Sequence, residues 1–378
     1  KIRIARVAAI PNTFNHILGQ VAILISSNFD VHLISSDGEF VDVIQKKVDC
    51  PHIKVNIRRD VSIKDDLVSL LKLYVIFKRN KYDIVHSSTP KAGLLSAVAG
   101  FIARVPIRIH TFTGQRWATK TGFTRSYLIF FDKCVGWLNT ELYADSQSQV
   151  DFLVSSKVIE RKKIKVLHHG SFGGIDFNKF KPVKNSQNSL EITERLGLEA
   201  NTLILIYVGR INKDKGINEL ISAFCALLDS GYNIDLIMLG NFENSLDPLP
   251  NRVLWQIKNH PRIHHEGFCP RPQDYLAISH VFCLPSYREG FGTSVLEAAS
   301  MGLPAICTKI PGLVDAVIDT ETGFLISKEN QVDLEVAIMK FINNPSLIDI
   351  MGSKARDRAI KYFDYKDVAD SLIKEYNK

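Results

Sequence analysis

The chain has 378 residues, of which 46% are hydrophobic and 23% charged, with a formal net charge of +7. That length exceeds one ordinary domain and suits two of about 150–200 residues each, and a composition with no biased tract excludes a largely disordered chain. The charge is uneven: residues 1–170 carry 25 Lys+Arg and 14 Asp+Glu, net +11, whereas residues 171–378 carry 22 and 26, net −4, so the first half is suited to an anionic partner such as a membrane surface or a phosphorylated acceptor.

The first half alternates strand-like and helix-like segments. Lys1-Ile-Arg-Ile-Ala-Arg-Val opens a strand over 2–10 and lacks the apolar run and cleavage site of a signal peptide. The chain is therefore expected to stay in the compartment where it is made, a cytoplasmic one. A helix follows over 14–27, then a strand over 31–35, a helix over 67–79, a strand over 83–86, a helix over 92–103 and a strand over 108–111. Two uncharged stretches fail as membrane spans: Pro11, Asn12, Asn15, His16 and Gln20 interrupt 7–29, and 92–103 is too short. A stretch rich in Gly, Ser, Asn and Pro, from Gly170 to Gln187, reads as a linker. The second half restarts the pattern with strands over 203–208, 235–239, 281–284 and 304–307, and helices over 217–228, 274–277, 294–299 and 331–343. Short buried strands separated by helices imply parallel β-α-β units, hence α/β with doubly wound sheets. Cys50, Cys134, Cys225, Cys269, Cys283 and Cys307 form no C-x-x-C pair and no cluster with metal-site spacing, so they are expected to be reduced thiols.

The most informative segment is Pro285-Ser-Tyr-Arg-Glu289-Gly290-Phe291-Gly292-Thr293-Ser294-Val295-Leu296-Glu297. A strand ending in a glycine-containing turn and a helix N-terminus presents free N–H groups and a positive dipole end to an anion. The two carboxylates, Glu289 and Glu297, suit a hydroxyl-rich ligand, because each oxygen accepts from an O–H. Tyr207-Val-Gly-Arg210-Ile-Asn-Lys-Asp-Lys215-Gly216 is a second candidate anion loop, in which Arg210 can clamp two phosphate oxygens and Lys215 acts as a point charge. No Asp-x-Asp pair occurs, so no metal is expected and the fixed cations take that role. A dinucleotide-binding oxidoreductase is excluded, since neither the turn after the first strand nor Gly290-x-Gly292 continues as Gly-x-Gly-x-x-Gly. The basic half carries no aromatic-plus-basic signature of a nucleic-acid binder.

Glu289-x7-Glu297 with Gly-Phe-Gly between, followed by Glu-Ala-Ala-Ser-Met-Gly-Leu-Pro, resembles the donor-site signature of family-4 glycosyltransferases of the GT-B fold. The loop Tyr207–Gly216, Met238-Leu-Gly240, Pro311-Gly-Leu and Thr322-Gly-Phe-Leu match in the same order. The resemblance implies two facing Rossmann-like domains with a cleft: an acceptor-side domain over 1–172, a nucleotide-sugar domain over 173–355, and a helix over 356–378 that crosses back. It implies a retaining transfer of a hexosyl or N-acetylhexosaminyl group from a nucleotide-diphosphate sugar, UDP favoured, to a glycan acceptor. That acceptor is expected on a polyprenyl diphosphate at the cytoplasmic face of the membrane, with peripheral contact to anionic lipid. By the same resemblance Glu289 contacts the donor sugar and Glu297 the ribose, while Phe291, Gly292, Thr293 and Ser294 offer N–H groups to the diphosphate. Arg210 and Lys215 supply cations, and Gly240 and Phe268 flank the nucleotide. In the first half His110 resembles the family's active-site histidine, Ser87-Ser-Thr-Pro-Lys91-Ala-Gly93 an acceptor-side segment, and Thr13, Phe14 and Arg116 further acceptor contacts. The first loop, Pro11-Asn-Thr-Phe14, departs from the family in lacking its Gly-Gly pair. Alternatives from other classes are a sugar-nucleotide epimerase or phosphorylase of the same fold, or a non-catalytic nucleotide-binding protein.

Overall fold

A computed structural model of the chain describes residues 1–58, 62–183, 186–243 and 247–378; Lys184 and Asn185, in the expected linker, lie outside the described residues. The chain forms two compact units, residues 1–174 with 364–378, and residues 175–363.

The first unit is built on β1 (Arg3–Val7), β2 (Asp30–Ser35), β3 (His52–Lys54), β4 (Ile84–Ser88), β5 (Ile107–Phe112), β6 (Glu141–Ala144) and β7 (Ile164–Val166). Their spatial order is β3-β2-β1-β4-β5-β6-β7, and every pairing is parallel. Strands such as β4, buried along their whole length, need helices on both faces. Right-handed crossovers put the helices Ile63–Asn80, Pro90–Ile102 and Gly122–Leu138 side by side on one face, and Leu18–Ser26 with Tyr365–Tyr376 on the other. Tyr376 locks that last helix to the sheet. Its Oη accepts from Arg6 Nη1 at 3.2 Å and hydrogen-bonds His86 Nδ1 at 2.6 Å, and His86 Nε2 reaches Thr111 Oγ1 at 2.7 Å.

The second unit contains β8 (Leu203–Val208), β9 (Ile234–Leu239), β10 (Ile263–His265), β11 (Val281–Leu284), β12 (Ala305–Thr308) and β13 (Gly323–Ile326), in the order β10-β9-β8-β11-β12-β13, again all parallel. From β8 the chain winds outward to β10, then returns to β11 beside β8 and winds the other way. The crevice at the carboxyl ends of β8 and β11 is thus the topological switch point, where an open parallel sheet leaves room for a ligand.

Several expectations are corrected. The single final helix over 356–378 is two, Ser346–Tyr362 and Tyr365–Tyr376. Between them Phe363 is 1% exposed in the second unit's core, and the Asp364 side chain caps the next helix by accepting from Lys366 N–H at 2.9 Å. The chain therefore passes to the first unit at 363/364, not at 355/356. The helix over 14–27 is broken into Asn12–Asn15 and Leu18–Ser26, and the strand over 2–10 shortens to Arg3–Val7.

Candidate active site

Two turns shape the crevice of the second sheet. The chain leaving β8 runs through Gly209-Arg210 to Gly216 before the helix Ile217–Asp229, and the chain leaving β11 runs through 285–292 before the helix Thr293–Ser300. Gly216 takes φ +68°, and a Cβ there would lie 1.9 Å from the Pro285 carbonyl oxygen, so only glycine lets the turns touch. The turns are also tied by polar contacts. Tyr287 N–H donates to the Asp214 carbonyl at 2.8 Å, and Arg288 donates from Nη2 and Nε to Asp214 Oδ2 at 2.7 and 3.1 Å.

Into this frame the structure sets both expected cations. Lys215 Nζ pairs with Glu289 Oε1, with side chains 14% and 13% exposed. Burial pulls the Lys215 ammonium below its ordinary pKa, against the opposing field of Glu289. Arg210 pairs with Glu243, whose carboxylate also accepts from Asn212 Nδ2 at 3.0 Å. The helix Thr293–Ser300 begins at Gly292, φ +85°, with no side chain capping it, so its dipole end is open to an anion. Phe291 is 2% exposed and its ring meets Phe363 edge-on at 5.2 Å, which leaves only its backbone for a ligand. Glu297 is half-buried one turn further on. Burial pushes its carboxyl up to about 7 against the weak pull of Lys179, and among the described residues no side chain hydrogen-bonds or pairs with it.

Gly240 and Phe268 lie one and two strands away. A Cβ on Gly240 would lie 1.8 Å from the Gly209 carbonyl oxygen, so the close approach of two strand ends is reason enough for this glycine. Phe268 is 53% exposed, and its N–H donates to Asn241 Oδ1 at 3.0 Å. The loop that presents it is held by Glu266, which accepts from Arg195 Nη2 and from Tyr275 Oη, each at 2.6 Å.

In the first unit, His110 ends up 2% exposed on β5. Its Nδ1 and Ser87 Oγ share a hydrogen bond of 2.9 Å, and Phe112 meets the ring edge-on at 4.7 Å. A Cβ on Gly93 would lie 2.4 Å from His110 Cε1, so the helix Pro90–Ile102 is shaped to admit the imidazole. Burial pulls the ring down to about 3; at neutral pH it is an uncharged hydrogen-bonding group rather than an acid. Lys91 begins the same helix, with Nζ 2.8 Å from Asp66 Oδ1. Thr13 is half-buried in the short helix Asn12–Asn15 after β1, and Arg116 is half-buried at the start of a 3-10 helix, Arg116–Thr119, after β5. Phe14 needs correction: it is fully buried in the core beneath β1, so its side chain is not available to an acceptor.

Glu243 lies in none of the motifs, and Asp214, Arg288 and Ser87 lie inside them with no role assigned from sequence, because each acts through a partner 20 or more residues distant. The glycine facing His110 was legible only as part of the Pro-Lys-x-Gly string.

Comparison with known proteins matches this geometry to a family. Residues 188–358, in the second unit, match the family described as glycosyl transferases group 1, and residues 6–129, in the first, match one described as glycosyl transferase 4-like. The capsular polysaccharide biosynthesis glycosyltransferase CapM of Staphylococcus aureus is 36% identical over 361 residues, covering 95% of this chain and 92% of that one. The UDP-Gal:alpha-D-GlcNAc-diphosphoundecaprenol alpha-1,3-galactosyltransferase of Escherichia coli is 26% identical over 379 residues, covering 98% and 96%. Among solved structures, HepE of Anabaena in complex with UDP and glucose superposes with a TM-score of 0.81 at 18% identity over the whole of both chains. Sucrose-phosphate synthase from Thermosynechococcus elongatus gives 0.80 at 19% identity, covering 100% of this chain and 98% of that one. With one family match in each unit and a relative aligned along nearly its full length, the chain belongs to the group 1 glycosyl transferases and has their GT-B fold.

Proposed function

We propose that the protein transfers a hexosyl or N-acetylhexosaminyl group, with retention of configuration, from a UDP-sugar to a glycan carried on a polyprenyl diphosphate, in bacterial surface polysaccharide synthesis at the cytoplasmic face of the membrane. The observation that carries this reading is the convergence, at one switch point, of Arg210, Lys215, an uncapped helix N-terminus and two carboxylates of unlike environment. The leaving group of such a transfer is a nucleoside diphosphate, whose charge grows as the sugar departs. Donors fixed in advance stabilise that charge without reorganising. On this reading the diphosphate exchanges places with Glu243 on Arg210 and lies over the N–H groups of Gly292, Thr293 and Ser294. Glu289, already held by Lys215, meets the sugar; Glu297 accepts from the ribose hydroxyls; Phe268 offers a stacking face to the base. These cations take the role that a metal plays in other transferases, and no cofactor is assigned.

His110, neutral and held by Ser87, offers Nε2 to the sugar, with Lys91, Thr13 and Arg116 on the acceptor side. The departing phosphate oxygen takes the proton of the attacking hydroxyl, which places nucleophile and leaving group on one face and retains configuration. The relatives support the donor and acceptor classes: one is named for UDP-Gal and a diphosphoundecaprenol acceptor, another for capsular polysaccharide.

The test is transfer from a UDP-sugar to a polyprenyl-diphosphate-linked acceptor, with the product's anomeric configuration read by NMR. Glu289→Ala should lower the turnover at least about 100-fold, the loss of one transition-state contact. Undiminished transfer would remove the role given to Glu289. An altered donor sugar without any acceptor would make the protein an epimerase.

A further inference from the structure

A buried polar atom that the fold leaves unmet costs stability, so its presence calls for a reason outside folding. The segment that follows β5 carries two. Gln115 is 3% exposed, and its side-chain Nε2 is buried with no hydrogen-bond partner among the described residues. Four residues on, Thr119 Oγ1 is buried and equally unmet. A carboxamide nitrogen brings two donors and a hydroxyl brings one, together with its lone pairs.

Looseness of the segment does not explain them. Trp117, between the two, is 1% exposed and held by three contacts. Its Nε1 donates to Asp132 Oδ2 at 2.7 Å, its ring stacks on Phe152 at 4.8 Å and 17°, and the Arg125 guanidinium lies 5.3 Å from the ring centroid. Asp132 and Arg125 come from the helix Gly122–Leu138 and Phe152 from the helix Gln147–Ser155, so two helices fix one indole. The Gln115 carbonyl accepts from Ala118 N–H at 3.1 Å. Gln115 is thus tied into a pinned turn through its backbone while its side-chain amide stays unspent, as in a binding group fixed before its ligand arrives.

Position and chemistry choose the ligand. The segment leaves the carboxyl end of β5, the strand that carries His110, and Arg116 lies within it. A diphosphate needs cations opposite it, and a buried carboxamide and hydroxyl supply none. Neutral oxygens of a hydroxyl-rich ligand match them. We propose that Gln115 Nε2, together with Thr119 Oγ1, hydrogen-bonds neutral oxygens of the acceptor's sugar and so selects which sugar is extended. That the sugar is the acceptor's rests on the transfer proposed for this protein; that these atoms bind a sugar does not. A site built to meet a hydroxyl rejects an analogue lacking it, because its own buried group is then left unpaired.

Apolar substitutions of similar volume separate a ligand contact from a structural one, because they move stability and binding in opposite directions. Gln115→Met and Thr119→Val each remove a polar atom that the fold leaves unmet, so the urea unfolding midpoint of the full chain should hold or rise. In transfer from a UDP-sugar to a polyprenyl-diphosphate-linked sugar, the acceptor KM should rise at least about tenfold while UDP affinity stays within about twofold. Asp132→Ala releases Trp117 and should lose on both counts. The Gln115 side-chain nitrogen-15 resonance, identified by its disappearance in Gln115→Met, should shift when a hexose or N-acetylhexosamine is added alone, and not when inorganic phosphate is. A wild type that makes no product removes the transfer reading and leaves this resonance to decide the sugar contact. Substitutions that lower stability and acceptor affinity together, that leave the acceptor KM unchanged, or that raise the UDP-sugar KM instead would overturn the proposal. So would a resonance that no sugar moves.

Discussion

Glu297 is the side chain on which the proposed ribose contact turns. A half-buried carboxyl with no protein partner is held up to about 7, from an ordinary 4.5, because the environment penalises its ionised form. On the proposed reading ribose hydroxyls donate to the ionised form, so ligand binding drives off the proton. UDP affinity should therefore rise with pH up to about 7 and level off above it; calorimetry across pH 5.5–8.5 checks this, and Glu297→Gln should flatten the curve. The same shift acts on folding with the opposite sign. The protonated carboxyl suits the fold, so its contribution is complete below 4.5 and is lost as pH rises to about 7. Glu297→Gln should then stabilise the protein by about 1–3 kcal/mol at pH 8 and by little at pH 4.5, read by urea unfolding. His110 is a different case, a residue whose chemistry is set by what presses on it. Gly93→Ala would place a methyl 2.4 Å from its ring carbon. Transfer should fall at least about tenfold while UDP affinity at the second unit stays unchanged; unaltered transfer would take His110 out of the reaction.

At the scale of elements, the site depends on two turns held together. Asp214 is 9% exposed as a side chain, and Arg288 is the cation that meets it. Arg288→Ala removes the two hydrogen bonds that tie the turns at Asp214, which should cost about 1–3 kcal/mol in urea unfolding and weaken UDP binding as the Lys215 turn loosens. This pairing also marks where sequence reading stops. β11 and the helix Gln331–Asn343 match their expected limits residue for residue, because their apolar runs end at clear polar or turn residues. The strands β3, β6, β7, β10 and β13, three or four residues each, escaped notice. Unlike the uncharged run of β11, four of them carry a charged residue or histidine and β13 opens on glycine, so their neighbours in the sheet, not an apolar run, define them. Likewise Arg210, Lys215, Glu289 and Glu297 stood out through motif and spacing. Glu243, the counter-charge of Arg210, and the pair Asp214–Arg288 that ties the two turns did not, since nothing local ties residues 33 or 74 positions apart.

The whole molecule repeats one architecture twice, and each sheet reverses its winding beside its own first strand. The doubly wound character was legible from alternating short strands and helices. The return of the last helix was expected only from resemblance, and its start was misplaced because Phe363 and Asp364 look like helix interior in sequence. Only the fold shows that Phe363 fills one core while Tyr376 reaches Arg6 and His86 in the other. The charge division follows the same boundary, since the net +11 of residues 1–170 lies in the first unit, whereas the crevice proposed for the donor lies in the second. The account stands or falls on that crevice. The most direct measurement is calorimetric titration of UDP, ADP, GDP and dTDP, without added metal, into the wild type and Arg210→Ala. UDP should bind most tightly, and the substitution should weaken it at least about tenfold, the loss of a charge-assisted clamp. No nucleotide binding by the folded wild type, or UDP binding untouched in Arg210→Ala, would contradict the assignment.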